Sequence, residues 1–110
     1  MSCAVFLVEE AEEQVRSISE WWRANRPLAP RLFTEELAAA IELLASAPEI
    51  GQRFHRGPVA GTRRLALLRS KHFVYYVHDR SREVVFVIAV WGMGRGAGPP
   101  LRPSLHRISG

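Results

Sequence analysis

The sequence predicts a single α+β domain, in which an N-terminal pair of helices packs on one face of a twisted antiparallel sheet in the order β-α-α-β-β-β. Three observations lead to this prediction. The spacing of apolar residues changes from that of a strand to that of a helix after Val8. Pro27 and Pro30 separate two amphipathic stretches. Three strand-like runs in the second half are joined by two or three residues, a length that suits hairpins.

The first strand and the first helix follow each other directly. The β-branched and aromatic run Cys3–Val8 is typical of a strand. The apolar stripe of the helix is made of Ala11, Val15, Ile18 and Trp22. Glutamates at 9, 10, 12 and 13 complement the helix dipole at its start, and Arg23 and Arg26 lie near its end. We therefore expect this helix to cover apolar surface with one face.

The second helix begins after the two prolines and ends near Pro48 and Gly51. Its apolar stripe is made of Phe33, Leu37, Ala40, Ile41 and Leu44. Because the connection between the helices is short, we expect an antiparallel hairpin. One hairpin buries too little apolar surface alone, so both stripes need a sheet to cover.

Three further strands supply that sheet, at residues 62–69, 72–79 and 83–91. The last is apolar on both faces, which indicates a central or doubly covered strand. We expect arginine and histidine side chains to lie among aliphatic ones on the face away from the helices. The predicted domain covers residues 1–101, and residues 102–110 are expected to form a flexible tail.

Charge is distributed unevenly along the chain. Residues 1–50 contain four Arg and Lys against nine Asp and Glu, whereas residues 51–110 contain eleven against two, within a net charge of +4. This asymmetry indicates a polyanionic partner for the second half, either nucleic acid or an acidic protein segment. There is no apolar run long enough for a membrane span and no basic leader, and Cys3 is the single cysteine. These features favour a cytoplasmic protein.

Several kinds of site are excluded by spacing. The glycine run at 92–98 leads into prolines instead of the helix that a phosphate loop requires. The histidines at 55, 72, 78 and 106 lack the spacing of metal ligands, and no nucleophile-elbow motif is present. We therefore expect no metal and no cofactor.

The remaining candidate is a basic surface on the sheet. Its candidate contact residues are Arg63, Arg64, Arg69, Lys71, His72, Tyr76 and Arg95. Guanidinium groups bind phosphate in bidentate fashion, and a histidine can act as acid or base near neutral pH. Such a set suits metal-free RNA cleavage with the 2′-hydroxyl as nucleophile. It suits the binding of an acidic peptide equally well.

Three stretches resemble the RelE/ParE family of bacterial type II toxins, over nearly all of residues 3–101. They are "PxLFxEELxxAIxLLxxxPEIG" from residue 30, "TRRLALLRSKHFVYYVHD" from residue 62 and "AVWGMGRGAGPPL" from residue 89. The resemblance implies a growth-inhibiting toxin that is neutralised by a co-expressed, acidic antitoxin segment wrapped around it, and it implies a hetero-oligomer.

The resemblance also implies one of two targets. RelE-like members cleave mRNA in the ribosome with basic sheet residues and a C-terminal tyrosine or histidine, whereas ParE-like members poison DNA gyrase and stabilise plasmids. His72 stands where the ribonucleases tend to have arginine, and only His106 could supply the C-terminal group. A ParE-like gyrase inhibitor is therefore favoured. The alternatives are an mRNA endonuclease acting through Arg64, Arg69, His72 and Arg95, and a degenerate toxin that only binds antitoxin.

Overall fold

The computed structural model describes residues 2–94 and Pro99. The elements are β1 (Ala4–Leu7), α1 (Glu9–Asn25), α2 (Leu32–Ser46), β2 (Gln52–Arg53), β3 (Thr62–Leu67), β4 (His72–Asp79) and β5 (Val84–Gly92). The strands form one sheet in the order β1-β5-β4-β3-β2, and both helices pack on one of its faces. The predicted α+β class and the helical hairpin are confirmed. Neither helix is long and apolar enough to cross a lipid bilayer.

The sheet is mixed, whereas the sequence suggested a purely antiparallel one. β1 pairs parallel with β5, with Ala4 opposite Val84. No hairpin joins these two strands, so no turn constrains their relative direction. A fifth strand, β2, pairs antiparallel with β3 through Arg53 and Arg63. Two residues are too few to show an alternating pattern in the sequence, which explains why β2 was not predicted.

The strands β3, β4 and β5 are antiparallel neighbours, as the short connections indicated. A bulge interrupts the β4–β5 ladder, because Tyr75 lies opposite Ala89 while Tyr76 lies opposite Val87. The two hairpins turn at Lys71 (φ 64°) and Glu83 (φ 56°), both in the left-handed region. These residues mark where the chain reverses at opposite ends of β4.

The main core lies between the helices and the sheet. It is built from Ala11, Trp22, Phe33, Leu37, Ala40, Leu44, Leu67, Val74, Tyr76, Val85, Val87 and Val90. A second cluster on the other face contains Val59, Tyr75, Phe86, Ile88 and Ala89. Val59 and the half-buried Phe54 come from the connection between β2 and β3, which therefore covers part of the face that was expected to be free.

Candidate functional site

Glu36 fixes the turn between β3 and β4 to helix α2. Its carboxylate accepts hydrogen bonds from the backbone N–H of Arg69 (2.8 Å) and of Ser70 (2.9 Å), and from the Ser70 hydroxyl (2.7 Å). Burial alone would raise the pKa of Glu36, but these hydrogen bonds and the charge of Arg69 outweigh it and hold the pKa below 4.5. Glu36 is therefore ionised at neutral pH and anchors a basic turn.

This turn and the C-terminal end of α1 enclose a groove of about 650 Å³, here called the α1–turn groove. Its lining includes Ile18, Trp21, Trp22, Arg26, Arg69, Lys71, His72 and Met93. The two tryptophans and Ile18 give it apolar walls, while Arg26, Arg69 and Lys71 contribute three positive charges. A groove of this composition suits an amphipathic segment that carries carboxylates.

His72 is neutral in this groove. Its Nδ1 lies 2.9 Å from the carbonyl oxygen of Ser70, and because a carbonyl can only accept, Nδ1 carries the proton and donates it. Its ring packs on Phe33, with the centroids 5.1 Å apart. Burial lowers the pKa of His72 below 6.5, although the Ser70 carbonyl and the Glu36 charge oppose this shift. His72 therefore does not supply the positive charge of an arginine at neutral pH.

Arg63 and Arg64 lie on opposite faces of the sheet. Arg63 lies on the face that the helices cover, and its Nη1 donates to the carbonyl oxygens of Glu49 (3.1 Å) and Gly51 (2.8 Å). Arg64 lies on the other face, with its guanidinium carbon 4.1 Å from the ring centroid of Phe73. Arg63 thus fixes the segment that follows α2, and Arg64 stacks on an aromatic ring.

Tyr76 is corrected from a contact residue to a structural one. Its side chain is completely buried in the main core, so no partner reaches it. Its hydroxyl accepts a hydrogen bond from the N–H of Gly51 (2.8 Å). Burial raises the pKa of this hydroxyl. Tyr76 therefore ties β4 to the segment that follows α2.

The candidate residues do not form one site. Arg69, Lys71 and His72 come together in the α1–turn groove, on the helix side of the sheet, while Arg64 lies on the other face. This corrects the expectation that the arginines and histidines would share the face away from the helices. Arg95, His106 and the tail at 102–110 lie outside the described residues.

Sequence reasoning missed two groove residues, Trp21 and Arg26, and it missed Glu36, which anchors the turn beside the groove. Trp21 lies outside the apolar stripe of α1 and is half exposed. The sequence offered one signal for Trp21, which is a large aromatic residue on the polar face of a helix. In that position its side chain is not buried when the domain folds, so folding does not explain why it is aromatic. The contact of Glu36 with the turn joins distant parts of the chain and leaves no pattern in the sequence.

A second polar cluster lies at the far end of β4. His78 Nδ1 is 3.2 Å from Glu49 Oε2, its Nε2 is 3.6 Å from the sulfur of Cys3, and Arg80 pairs with the same carboxylate. The hydrogen bond from Arg80 is the main reason that the pKa of Glu49 lies below its ordinary value. Within residues 2–94, no group of three or more His, Cys, Asp or Glu side chains is placed to hold a metal ion.

Comparison with protein families gives one full-domain match. The family described as "ParE toxin of type II toxin-antitoxin system, parDE" matches residues 5–96. No curated protein sequence matches the chain.

Three solved structures have a similar fold at low sequence identity. The chromosomal ParDE toxin–antitoxin system from P. aeruginosa superposes with a TM-score of 0.66 at 13% identity, over 83% of this chain and 96% of the other. A free mutant of the E. coli toxin RelE gives 0.56 at 18%, over 87% and 88%. The toxin–antitoxin complex RelBE2 from Mycobacterium tuberculosis gives 0.56 at 18%, over 84% and 99%. These similarities support the fold described above.

Proposed function

Because this chain belongs to the ParE toxin family of type II toxin–antitoxin systems, within the RelE/ParE superfamily, we propose that it inhibits DNA gyrase by direct binding. A cognate antitoxin neutralises it in this proposal, and both events take place in the cytoplasm. The toxin makes and breaks no covalent bond, because its effect arises from occupying a surface of the enzyme.

The observation that carries the proposal is the separation of the candidate nuclease residues. Metal-free RNA cleavage requires a proton acceptor and cationic groups around one phosphate. Arg64 lies on the outer face of the sheet, whereas Arg69 and His72 line the α1–turn groove on the helix side. A neutral His72, with Nδ1–H donating to the Ser70 carbonyl, can accept a proton at Nε2 but adds no positive charge beside a phosphate. This arrangement favours a binding protein over a nuclease that uses these three side chains.

The antitoxin part of the proposal is supported by the chemistry of the α1–turn groove. Arg26, Arg69 and Lys71 surround apolar walls, so the groove suits a segment with alternating carboxylates and apolar side chains. Two of the similar structures, the ParDE system and the RelBE2 complex, are toxin–antitoxin assemblies, which supports a partner of this class.

A supercoiling assay with purified components tests the proposal. We expect the free protein to inhibit supercoiling by gyrase, and the cognate antitoxin to restore it. Translation extracts programmed with a defined message serve as the parallel measurement. Cleaved message together with unaffected supercoiling would replace the proposal with a ribosome-dependent endonuclease. Antitoxin binding without either effect would identify a degenerate toxin.

A further inference from the structure

The connection between α1 and α2 is held in one conformation by its own contacts. The indole Nε1 of Trp22 donates to the carbonyl oxygen of Ala29 (2.8 Å), and the N–H of Ala29 donates to the carbonyl of Arg26 (3.1 Å). Pro27 and Pro30 each fix one backbone dihedral angle. The connection is therefore ordered before any partner arrives, so little conformational entropy is lost on binding.

This ordered turn presents an apolar surface that the domain leaves uncovered. The side chain of Leu28 is 100% exposed, and that of Trp21, on the last turns of α1, is 49% exposed. We define the hairpin tip as Trp21, Ala24, Pro27, Leu28 and Pro30, all of which are exposed. An exposed apolar protrusion of this kind is typical of an interaction surface.

Arginines surround the hairpin tip. Arg23, Arg26 and Arg31 are three of the four positively charged residues in the first fifty. The guanidinium carbon of Arg26 lies 5.1 Å from the Trp21 ring centroid, so its position is fixed by an aromatic contact. Within residues 2–94, Arg31 is the one of these three that forms an ion pair, a weak one of 4.0 Å with the exposed Glu35. The tip therefore combines an apolar anchor with positive charge, which complements an acidic protein surface.

We propose that the hairpin tip is the surface with which this toxin binds its target protein, with Leu28 inserted into an apolar pocket bordered by carboxylates. The inference rests on the proposed function in taking gyrase as that target.

The hairpin tip also overlaps the α1–turn groove. Trp21 belongs to both surfaces, and Arg26, at the edge of the tip, lines the groove as well. An antitoxin segment in the groove would cover these two side chains and so compete with the target. Neutralisation would then follow from the overlap, without a change in the fold of the toxin.

The variant Leu28→Ser tests the inference, with Leu43→Ser as its control. Leu43 is also exposed (40%), but lies near the opposite end of the hairpin. We expect Leu28→Ser to weaken both gyrase binding and supercoiling inhibition at least tenfold. Its melting temperature and its affinity for the antitoxin should stay as in the wild type, because the Leu28 side chain is fully exposed and is not among the residues that line the groove. Leu43→Ser should leave both affinities unchanged.

Each other outcome has a defined meaning. If Leu28→Ser inhibits gyrase as well as the wild type does, the hairpin tip is not the target surface, although gyrase inhibition stands. If the wild type does not bind gyrase, the proposed function fails, and growth arrest in cells without antitoxin becomes the measurement. Relief of that arrest by Leu28→Ser supports the tip whatever the target is. Unrelieved arrest, or no arrest by the wild type, overturns the inference.

The competition is tested separately by adding gyrase to a preformed toxin–antitoxin complex. We expect gyrase affinity to fall at least tenfold when the antitoxin is bound. Unchanged affinity would contradict the overlap of the two surfaces.

Discussion

Two neighbouring arginines of β3 contribute differently to stability. Arg63 donates to two backbone carbonyls at the exit from α2, while Arg64 stacks on Phe73. We expect Arg63→Ala to lower the free energy of unfolding by about 1–2 kcal/mol, because charged hydrogen bonds are lost. Arg64→Ala should cost about 0.5–1 kcal/mol, the size of a partly exposed cation–π contact. Urea denaturation of both variants measures the difference, and equal losses would contradict these roles.

Glu36 is a positioning residue for the α1–turn groove, and its contribution depends on pH. We expect Glu36→Gln to lower the free energy of unfolding by about 1–2 kcal/mol at neutral pH, because the amide replaces a charged acceptor of three hydrogen bonds. Glu42→Gln, an exposed position on the same helix, is the matched control.

The sign of the pH dependence follows from the lowered pKa of Glu36. The carboxylate stabilises the fold fully above 4.5, and this stabilisation is lost as the pH falls through the lower pKa of the folded state. The difference between wild type and Glu36→Gln should therefore shrink as denaturation is repeated at pH values below 4.5. A difference that stays constant across this range would mean that the charge of Glu36 is not what holds the turn.

The docking of β2 depends on the absence of a side chain at Gly51. A Cβ atom there would lie 2.6 Å from the Tyr76 hydroxyl oxygen and 2.9 Å from the carbonyl oxygen of Arg64, which belongs to the backbone of β3 and cannot move away. We expect Gly51→Ala to lower the melting temperature, at a cost of about 1–3 kcal/mol. At Gly94 no atom of the described residues lies within 4 Å of such a Cβ, so Gly94→Ala should melt like the wild type.

The spacing of apolar residues predicted the helices and strands whose pattern lies within one continuous stretch of sequence. Both helical stripes were correct, and Trp22 and Phe33 are buried as expected. The strand expected at residues 72–79 is β4, and it is found at His72–Asp79. The strand before it was predicted to reach residue 69 but ends at Leu67, because Glu36 draws the N–H of Arg69 into the turn. The parallel pairing of β1 depends on contacts between the two ends of the chain, which periodicity does not report.

The candidate site was predictable only where its residues are adjacent in sequence. Arg69, Lys71 and His72 lie within one hairpin and meet in one groove. The wall contributed by Trp21 comes from α1, and its position depends on how the helix crosses the sheet. Side chains alternate along a strand, which puts the neighbours Arg63 and Arg64 on opposite faces, but alternation does not show that the chain covers part of the outer face.

The uneven charge of the whole chain predicts salt-dependent recruitment of the antitoxin. Arg69 and Lys71 are exposed at the edge of the α1–turn groove, and the second half of the chain has eleven Arg and Lys against two Asp and Glu. If the antitoxin segment is acidic, as the charge of the groove favours, the association rate should fall about tenfold or more between low salt and physiological salt. Stopped-flow mixing at several ionic strengths measures this rate.

A charge-reversed variant provides the comparison for that measurement. Arg69→Glu combined with Lys71→Glu should slow association and flatten its salt dependence, whereas Arg53→Glu, an exposed position on β2 outside the groove, should have a smaller effect. If the charge-reversed variant associates as fast as the wild type, Arg69 and Lys71 do not attract the antitoxin electrostatically, and the prediction is wrong.

The pairing of β1 with β5 has a consequence for synthesis. Ala4 is synthesised early and its partner Val84 late. β1 therefore stays unpaired until most of the chain has left the ribosome. Because β1 and β5 are far apart in sequence, we expect their pairing to be slow compared with the formation of the local hairpins. A nascent chain interrupted before β5 would lack the strand on which α1 packs, and would be a substrate for proteases instead of a folded toxin.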